Sequence, residues 1–259
     1  MLRLLCLLSL MLLAACGSGE SSTPAANSPI DWDRSPSTVV FRADVEGGTP
    51  EDAFLARSEI PPCTVYGDNR VVWTNEIGPF ETQVLWDKVS DDAIRNFVLI
   101  LTLNRQIYSY SAGRSLEPAS SSEPVVETLT LFVNGLQHKT DAFGGWDVDY
   151  YRQIVDACRQ ISVAPVLYVP TAAWVSAQAV PYDSDAPLVA WDSAANGLSL
   201  FELAAGTERK WLTDRNVPVL WNIIRTSPPR IQFLEGEQRY HVAVEVPNVT
   251  RESPPAPQS

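Results

Sequence analysis

The sequence predicts an α+β fold built mainly on antiparallel sheet. Runs of β-branched and aromatic residues alternate with short turn sequences, which is typical of β-hairpins. Each of the first two hairpins is followed by a stretch whose apolar residues recur every three or four positions, as on one face of a helix. Because a hairpin joins neighbouring antiparallel strands, this order indicates an antiparallel sheet with helices packed beside it.

The strands are predicted from four segments. TVVFRADV (38–45) forms a single strand, and the other three segments form hairpins. The hairpins are CTVYGDNRVVW (63–73) around Gly67-Asp68-Asn69, TLTLFVNGLQHKT (128–140) around Asn134-Gly135, and RIQFLEGEQRYHVAVEVP (230–247) around Glu235-Gly236. Asn-Gly between alternating apolar residues is the strongest of these turn signals.

Two amphipathic helices follow the first two hairpins. Ser90 is predicted to cap a helix that begins with Asp91 and Asp92, because a hydroxyl oxygen and acidic side chains stabilise a helix amino terminus. Its apolar face contains Ile94, Phe97, Val98 and Leu101. Asp147 is predicted to precede the second helix, whose apolar face contains Val148, Tyr151, Ile154, Val155, Cys158 and Ile161. The repeated hairpin-helix order is either a degenerate duplication or an arrangement that two units happen to share.

Shifts in composition divide the chain into six segments. Segments rich in Ser, Pro, Gly and Asn bury too little apolar surface to offset their ordering entropy, so they are expected to stay flexible. The segments are a signal peptide at 1–15, a lipidated flexible tether at 16–36, an α+β region with two hairpin-helix units at 37–169, a linker or loop at 170–187, a C-terminal α+β section at 188–247 and a disordered tail at 248–259. Within the C-terminal section, short helices are predicted at 197–206, ended by Gly206, and at 216–225.

The amino terminus has the layout of an export signal. The apolar block from Leu4 to Ala15 has 12 residues, and a helix of that length covers only about 18 Å of the roughly 30 Å hydrocarbon core of a bilayer. Leu13-Ala14-Ala15-Cys16 looks like a bacterial lipobox, which implies cleavage before Cys16 and attachment of fatty acids such as palmitate to that cysteine. Because two or more acyl chains anchor a protein stably, we expect it on the extracytoplasmic face of a bacterial membrane. The alternative is an ordinary cleaved signal peptide.

Two cysteines remain for the folded part once Cys6 leaves with the signal peptide and Cys16 carries lipid. In an oxidising compartment, Cys63 and Cys158 are predicted to form a disulfide. Closing the loop between them would contribute on the order of 4 to 5 kcal/mol in the chain-entropy model. The alternative is two unpaired buried thiols, which pack like small apolar side chains.

Composition and motifs argue against several activities. With 19 basic and 31 acidic residues the net charge is −12, so a basic nucleic-acid-binding surface is not expected. The two histidines, His138 and His241, are far apart in sequence, and the zinc motifs HExxH and CxxC do not occur. The hydrolase motifs GxSxG and SxxK and the phosphate loops GxGxxG and GxxxxGK are missing too. We expect no cofactor and no metal, and a binding protein is favoured over an enzyme.

Tryptophan is enriched, with 8 residues. Exposed tryptophan side chains stack on sugar rings or fill a pocket on a partner. Most of the eight are expected in the core. Trp146 and Trp174 stand next to predicted loop sequence, so they are the candidates for a ligand-binding surface.

Three segments, which overlap the predicted hairpins, resemble a group of uncharacterised bacterial lipoproteins. They are PPCTVYGDNRVVW (61–73), ETLTLFVNGLQHKTDAFG (127–144) and YHVAVEVP (240–247). That group shows a VYGDGRV-like hairpin after a proline, a second strand pair after a threonine-rich strand, and a terminal Y-x-V-x-V-x-x-P strand. Asn69 stands where the group has glycine. The resemblance implies an envelope lipoprotein and carries no mechanism.

Three functional hypotheses follow. The first is a non-catalytic, membrane-anchored lipoprotein that binds or scaffolds another component of the cell envelope, such as an envelope protein. The second is a glycan or peptidoglycan binder that uses Trp146 or Trp174. The third is a hydrolase whose carboxylates come together only in the fold.

Overall fold

A computed structural model of the chain describes residues 30–47, 53–113, 125–206 and 208–258. The signal peptide, Cys16 and the first part of the predicted tether lie outside the described residues. Within those residues, twelve strands and six α-helices form an α+β fold with a large antiparallel sheet, which confirms the predicted fold class. No helix in the described part combines the length and hydrophobicity needed to cross a membrane.

The larger sheet has seven strands, all paired antiparallel. In chain order they are β1 (Val39–Glu46), β2 (Cys63–Tyr66), β3 (Arg70–Gly78), β4 (Glu81–Lys88), β5 (Val126–Val133), β6 (Leu136–Asp141) and β7 (Val166–Leu167). Their spatial order is β6-β5-β1-β2-β3-β4-β7. The β5–β6 hairpin turns where Asn134 and Gly135 both have positive φ, of 54° and 72°, as the Asn-Gly signal predicts.

The smaller sheet has five strands. They are β8 (Ala173–Val180), β9 (Leu188–Ala190), β10 (Lys210–Leu212), β11 (Gln232–Glu235) and β12 (Gln238–Glu245). Their spatial order is β10-β8-β12-β11-β9, and only β9 and β11 run parallel.

The helices begin at α1 (Ala53–Ala56) and continue with α2 (Asp91–Leu99), α3 (Tyr150–Arg159), α4 (Ser193–Asn196), α5 (Leu200–Ala205) and α6 (Asn216–Arg225). The Ser90 hydroxyl accepts a 3.2 Å hydrogen bond from the Ala93 amide, so the predicted cap of α2 is confirmed. A π-helical turn, Ile100–Asn104, extends α2 and buries Leu101. Pro218 lies in the first turn of α6, where its missing amide hydrogen costs little.

The larger sheet carries an apolar core on each face. On one face α2 and α3 cover Val65 and Phe41, and the Phe41 ring meets Phe97 edge-on at 5.0 Å. On the other face Tyr66 belongs to a core shared with the smaller sheet, α5 and α6. Each large apolar side chain buried in these cores contributes about 1.5–3 kcal/mol.

A disulfide joins β2 to α3, as predicted. Cys63 and Cys158 are fully buried, 6.3 Å apart at their Cα atoms and 95 positions apart in sequence. The bridge therefore ties the first core together across the sheet–helix contact.

The folded part begins earlier than the predicted boundary at residue 37. Trp32 is only 5% exposed, and its indole nitrogen donates a 3.1 Å hydrogen bond to the Gly67 carbonyl. Ile30 is buried in the same core, and the Asn134 amide donates to the Asp31 carbonyl at 2.8 Å. Ile30 and Trp32 therefore attach this part of the predicted tether to the core, although most of the other side chains in 30–36 are exposed.

Two later boundaries also differ from the prediction. The segment predicted as a linker at 170–187 contains β8, a strand inside the smaller sheet. The segment predicted as a disordered tail from 248 contains Val249 and Thr250, which are both buried. Its next residue, Arg251, forms ion pairs with Asp44 and Glu59.

The two predicted hairpin-helix units are less alike than the sequence suggests. In the first unit the additional strand β4 pairs with β3 before α2 begins. In the second unit α3 begins at Tyr150, so Val148 precedes the helix and is 90% exposed instead of buried. Asp149 is the residue before this helix, and its side chain makes no capping hydrogen bond.

Candidate ligand-binding cavity

An open cavity of about 650 Å³ lies where the two sheets meet. Its walls come from the β3–β4 turn, from α1 and the loop after it, and from the end of α6 with the loop that leads to β11. Val45 of β1, Val242 of β12 and Arg251 complete it. A volume of this size matches the usual range of small-molecule sites, roughly 300–1,000 Å³.

Apolar side chains make up a large part of the wall. They include four prolines, two of them adjacent at Pro228 and Pro229, together with Leu55 and Ile224. Phe80 stands at the β3–β4 turn and is 53% exposed. The exposed half of this aromatic ring offers apolar contact area to a ligand in the cavity.

Among the described residues, the charged side chains of the wall are three arginines and two glutamates: Arg225, Arg230, Arg251, Glu59 and Glu76. Together these five carry one net positive charge, whereas the whole chain carries −12. The Arg251 guanidinium is bound on two sides, with Nε 2.8 Å from Asp44 Oδ1 and Nη1 2.6 Å from Glu59 Oε2. Glu59 is thus already engaged by Arg251.

Arg225 is held by neutral groups among the described residues. Its Nη2 donates to the Ser58 carbonyl, and its guanidinium carbon lies 4.7 Å from the centre of the Trp221 ring. Its Nε is buried without a hydrogen-bond partner. No carboxylate in the described part of the chain forms an ion pair with it. Burial lowers the pKa of Arg225 to about 10, with the charge of Glu59 opposing that shift, so the side chain stays cationic near neutral pH.

A second, smaller cavity of about 400 Å³ lies beside Trp146. The Trp146 ring is half-buried and stacks on Tyr151 with 6.0 Å between ring centres and 14° between the planes. Its indole nitrogen donates a 3.0 Å hydrogen bond to the Thr140 hydroxyl. Asp147, Asp149 and Arg152 surround this aromatic pair.

Trp174, the other predicted contact residue, lies in a different place and is partly covered. It is in β8 beside Trp211 of β10, with 5.2 Å between ring centres. Its indole nitrogen donates a 3.0 Å hydrogen bond to the Pro255 carbonyl. The structure therefore does not bring Trp146 and Trp174 into one surface. The carboxyl-terminal segment covers part of the surface around Trp174.

The histidines do not form a shared site. His138 contacts the Ile107 carbonyl through Nε2 at 2.9 Å and packs edge-on against Tyr108. Burial and the positive charge of Arg230 lower the pKa of His241. Among the described residues no group of three or more His, Cys, Asp or Glu is arranged to hold a metal ion.

Arg225 has no local sequence signal that marks it as a binding residue. It is a basic residue in the last turn of a helix, where the negative end of the helix dipole commonly favours one. Its position in a cavity depends on Ser58, which is 167 positions away. Comparison of the chain with protein-family models, with curated proteins and with solved structures found no match.

Proposed function

We propose that this protein is a lipid-anchored, extracytoplasmic and non-catalytic binding protein of the bacterial cell envelope. The observation that carries the binding role is the cavity between the sheets, which combines apolar walls with the incompletely neutralised guanidinium of Arg225. A few polar groups in an apolar cavity are typical of sites that hold and orient a small ligand. The Cys63–Cys158 disulfide supports an oxidising compartment.

The anchor rests on the sequence Leu13-Ala14-Ala15-Cys16, and the chain supplies its own control. Cells are grown with a clickable palmitate analogue, and the labelled protein is followed in membrane and soluble fractions. Cys16→Ser should abolish the label and release the protein from the membrane. Cys6→Ser, which changes the leader cysteine, should leave label and fractionation unchanged. A Cys16→Ser protein that still carries label at its amino terminus would exclude this anchor.

Binding is tested by native mass spectrometry of the acylated protein extracted from its own envelope, combined with crosslinking to capture a protein partner. We expect a non-covalent ligand or partner, and the fraction of protein that carries it should fall in Phe80→Ala. The matched control is Phe201→Ala, because Phe201 is 65% exposed on α5 and does not line the cavity. Equal occupancy in both variants would argue that the binding site lies elsewhere.

Glycan recognition at Trp146 is a second candidate, favoured by the stacked Trp146–Tyr151 pair with carboxylates and an arginine around it. Aromatic faces bind the apolar side of sugar rings, while charged groups accept or donate hydrogen bonds to hydroxyls. Sedimentation with purified peptidoglycan tests it. Binding lost in Trp146→Ala but kept in Trp174→Ala would support the Trp146 surface, and binding unaffected by either change would exclude it.

A further inference from the structure

We infer that the cavity between the two sheets takes a small ligand with an apolar body and a terminal carboxylate, and that Arg225 binds the carboxylate. This inference rests on the proposed function, because it names the class of ligand for the same cavity. It depends on three features of the wall: the donors that Arg225 leaves unused, the engagement of Glu59 by another cation, and the apolar residues beside them.

Several N–H donors of the Arg225 side chain make no hydrogen bond within the described residues. A guanidinium carries five N–H donors in a planar fork, and within the described residues Arg225 makes one hydrogen bond, to the Ser58 carbonyl. Its Nε is buried, whereas its Nη1 makes no hydrogen bond within the described residues and the side chain lines the cavity, so a further acceptor can be supplied there. Stacking on Trp221 holds the plane of the guanidinium in place. Such a fixed fork suits a carboxylate, which accepts two parallel N–H bonds.

The nearby acid does not satisfy this need. Glu59 Oε2 lies 2.6 Å from Arg251 Nη1, and the Glu59 backbone carbonyl accepts from the Arg251 amide at 2.8 Å. Arg251 also holds Asp44. These contacts hold Glu59 toward Arg251, and among the described residues neither Glu59 nor Glu76, the other glutamate of the wall, forms an ion pair with Arg225.

The apolar wall indicates what the anion is attached to. Ile224 precedes Arg225 in α6, Leu55 of α1 lines the same cavity, and Pro228 and Pro229 form its rim. Phe80 stands at the mouth with half of its surface exposed. A hydrocarbon tail gains contact area against these side chains and needs no hydrogen-bond partners, whereas a peptide would bring backbone amides that need several.

The test uses the full acylated chain in phospholipid nanodiscs and two probes of equal length, octanoate and its neutral analogue octanamide. Isothermal titration calorimetry measures both affinities, and empty nanodiscs correct for partition into lipid. Because charge-assisted hydrogen bonds are about twice as strong as neutral ones, octanoate should bind at least about tenfold more tightly than octanamide.

Variants of Arg225 and Arg239 test which arginine causes the preference for octanoate over octanamide. Arg225→Gln should reduce the octanoate preference to less than about twofold, and Arg225→Lys should restore part of it. The matched control is Arg239→Gln, since Arg239 also stacks on an aromatic ring, that of Tyr182 at 4.3 Å, but lies outside the cavity. Phe80→Ala should weaken both probes by the same factor. This last variant changes an exposed side chain, so it remains informative if Arg225 variants fail to fold.

Three outcomes would overturn the inference: equal binding of the two probes, a preference that survives Arg225→Gln, or no binding of octanoate by the wild-type protein. They can be separated from failure of the proposed function. If native mass spectrometry still detects a bound ligand whose occupancy falls in Phe80→Ala, the cavity would remain a binding site with a ligand of another class.

Discussion

Arg251 Nε lies 2.8 Å from Asp44 Oδ1, and this ion pair connects residues 207 positions apart near the two ends of the folded chain. Asp44 is 4% exposed. Burial raises the pKa of Asp44, and the charges of Arg251 and Arg42 oppose that shift. The pair holds the carboxyl-terminal segment against β1, beside the proposed ligand cavity.

Arg251→Met should therefore destabilise the protein by about 3–5 kcal/mol at neutral pH, because it leaves a buried carboxylate without its cation. The double variant Asp44→Asn, Arg251→Met should recover part of that loss. Urea unfolding of the single and double variants measures the loss of stability and its partial recovery. Arg152→Met is the control, since the Arg152 side chain is 70% exposed on α3 and pairs with Asp149 at 3.2 Å, where such pairs contribute at most about 1 kcal/mol. A cost as small as that of the control would show that the buried pair is unimportant for folding.

The pH dependence of this defect has a definite sign. When Arg251 is removed, only the Val45 amide and the charge of Arg42 still oppose the effect of burial at Asp44, so the pKa of Asp44 rises further above 3.8. The folded state then binds more protons than the unfolded state above the unfolded pKa, and stability falls as pH rises through that window. Arg251→Met should accordingly recover stability relative to wild type on acidification. A defect that is constant between pH 4 and pH 7 would contradict this account.

Removing the disulfide should cost several kcal/mol. The Cys63→Ala, Cys158→Ala variant releases a loop closure of 95 residues, worth on the order of 4 to 5 kcal/mol as an upper value. Both sulfurs are buried, so a thiol reagent should reduce the folded protein only through unfolding. Denaturant melts of oxidised, reduced and alanine-substituted protein measure the cost. Rapid reduction without denaturant would show that the bridge is accessible.

Local signals in the sequence predicted the elements whose contacts are also local. Ser90 caps the helix that starts at the next residue, and Asn134-Gly135 makes the turn between its own two strands. The strand β4 was missed because its apolar residues Val84, Leu85 and Trp86 are consecutive, so Glu81–Lys88 lacks the alternation expected of a half-buried strand.

Contacts between distant parts of the chain could not be predicted in this way. Trp32 lies in a polar, proline-rich context that is typical of a flexible segment, and it is ordered by the Gly67 carbonyl 35 positions away. Arg225 reaches the cavity through Ser58, at a separation of 167. The Cys63–Cys158 pairing was predicted because two cysteines allow a single intramolecular bridge, a constraint that no tryptophan or arginine has.

Protonation of Asp87 should lower the stability of the folded protein at low pH. Burial alone would raise the pKa of Asp87, but hydrogen bonds from the Ala164, Val163 and Lys88 amides and the Ser162 hydroxyl together lower it below 3.8. The unfolded state therefore binds more protons in this window, so the stabilisation is present above pH 4 and is lost as pH falls through the folded pKa.

Asp87→Asn should destabilise the protein by about 1–3 kcal/mol at pH 7, since it removes charge-assisted bonds that tie β4 to the loop after α3. The difference from wild type should shrink as pH falls toward 3. Asp156→Asn is the control, because Asp156 is on the open surface of α3 and should change stability by less than about 0.5 kcal/mol. Thermal melts of wild type and both variants between pH 3 and pH 7 measure these differences in stability. A wild-type difference that is the same at pH 3 and pH 7 would rule out the carboxylate as its source.

The carboxyl-terminal segment should control the exposure of Trp174. The Trp174 indole nitrogen donates to the Pro255 carbonyl at 3.0 Å, so a chain ending at Ser253 frees this group and exposes the Trp174 ring to water. We expect a red shift of tryptophan emission and a loss of about 0.5–1.5 kcal/mol, the worth of one hydrogen bond. The same truncation in Trp174→Phe should produce no further red shift. If Trp174 contributes to glycan binding, truncation should also increase sedimentation with peptidoglycan, because the segment and a sugar ring compete for one aromatic face. Unchanged emission after truncation would show that the segment does not cover Trp174 in solution.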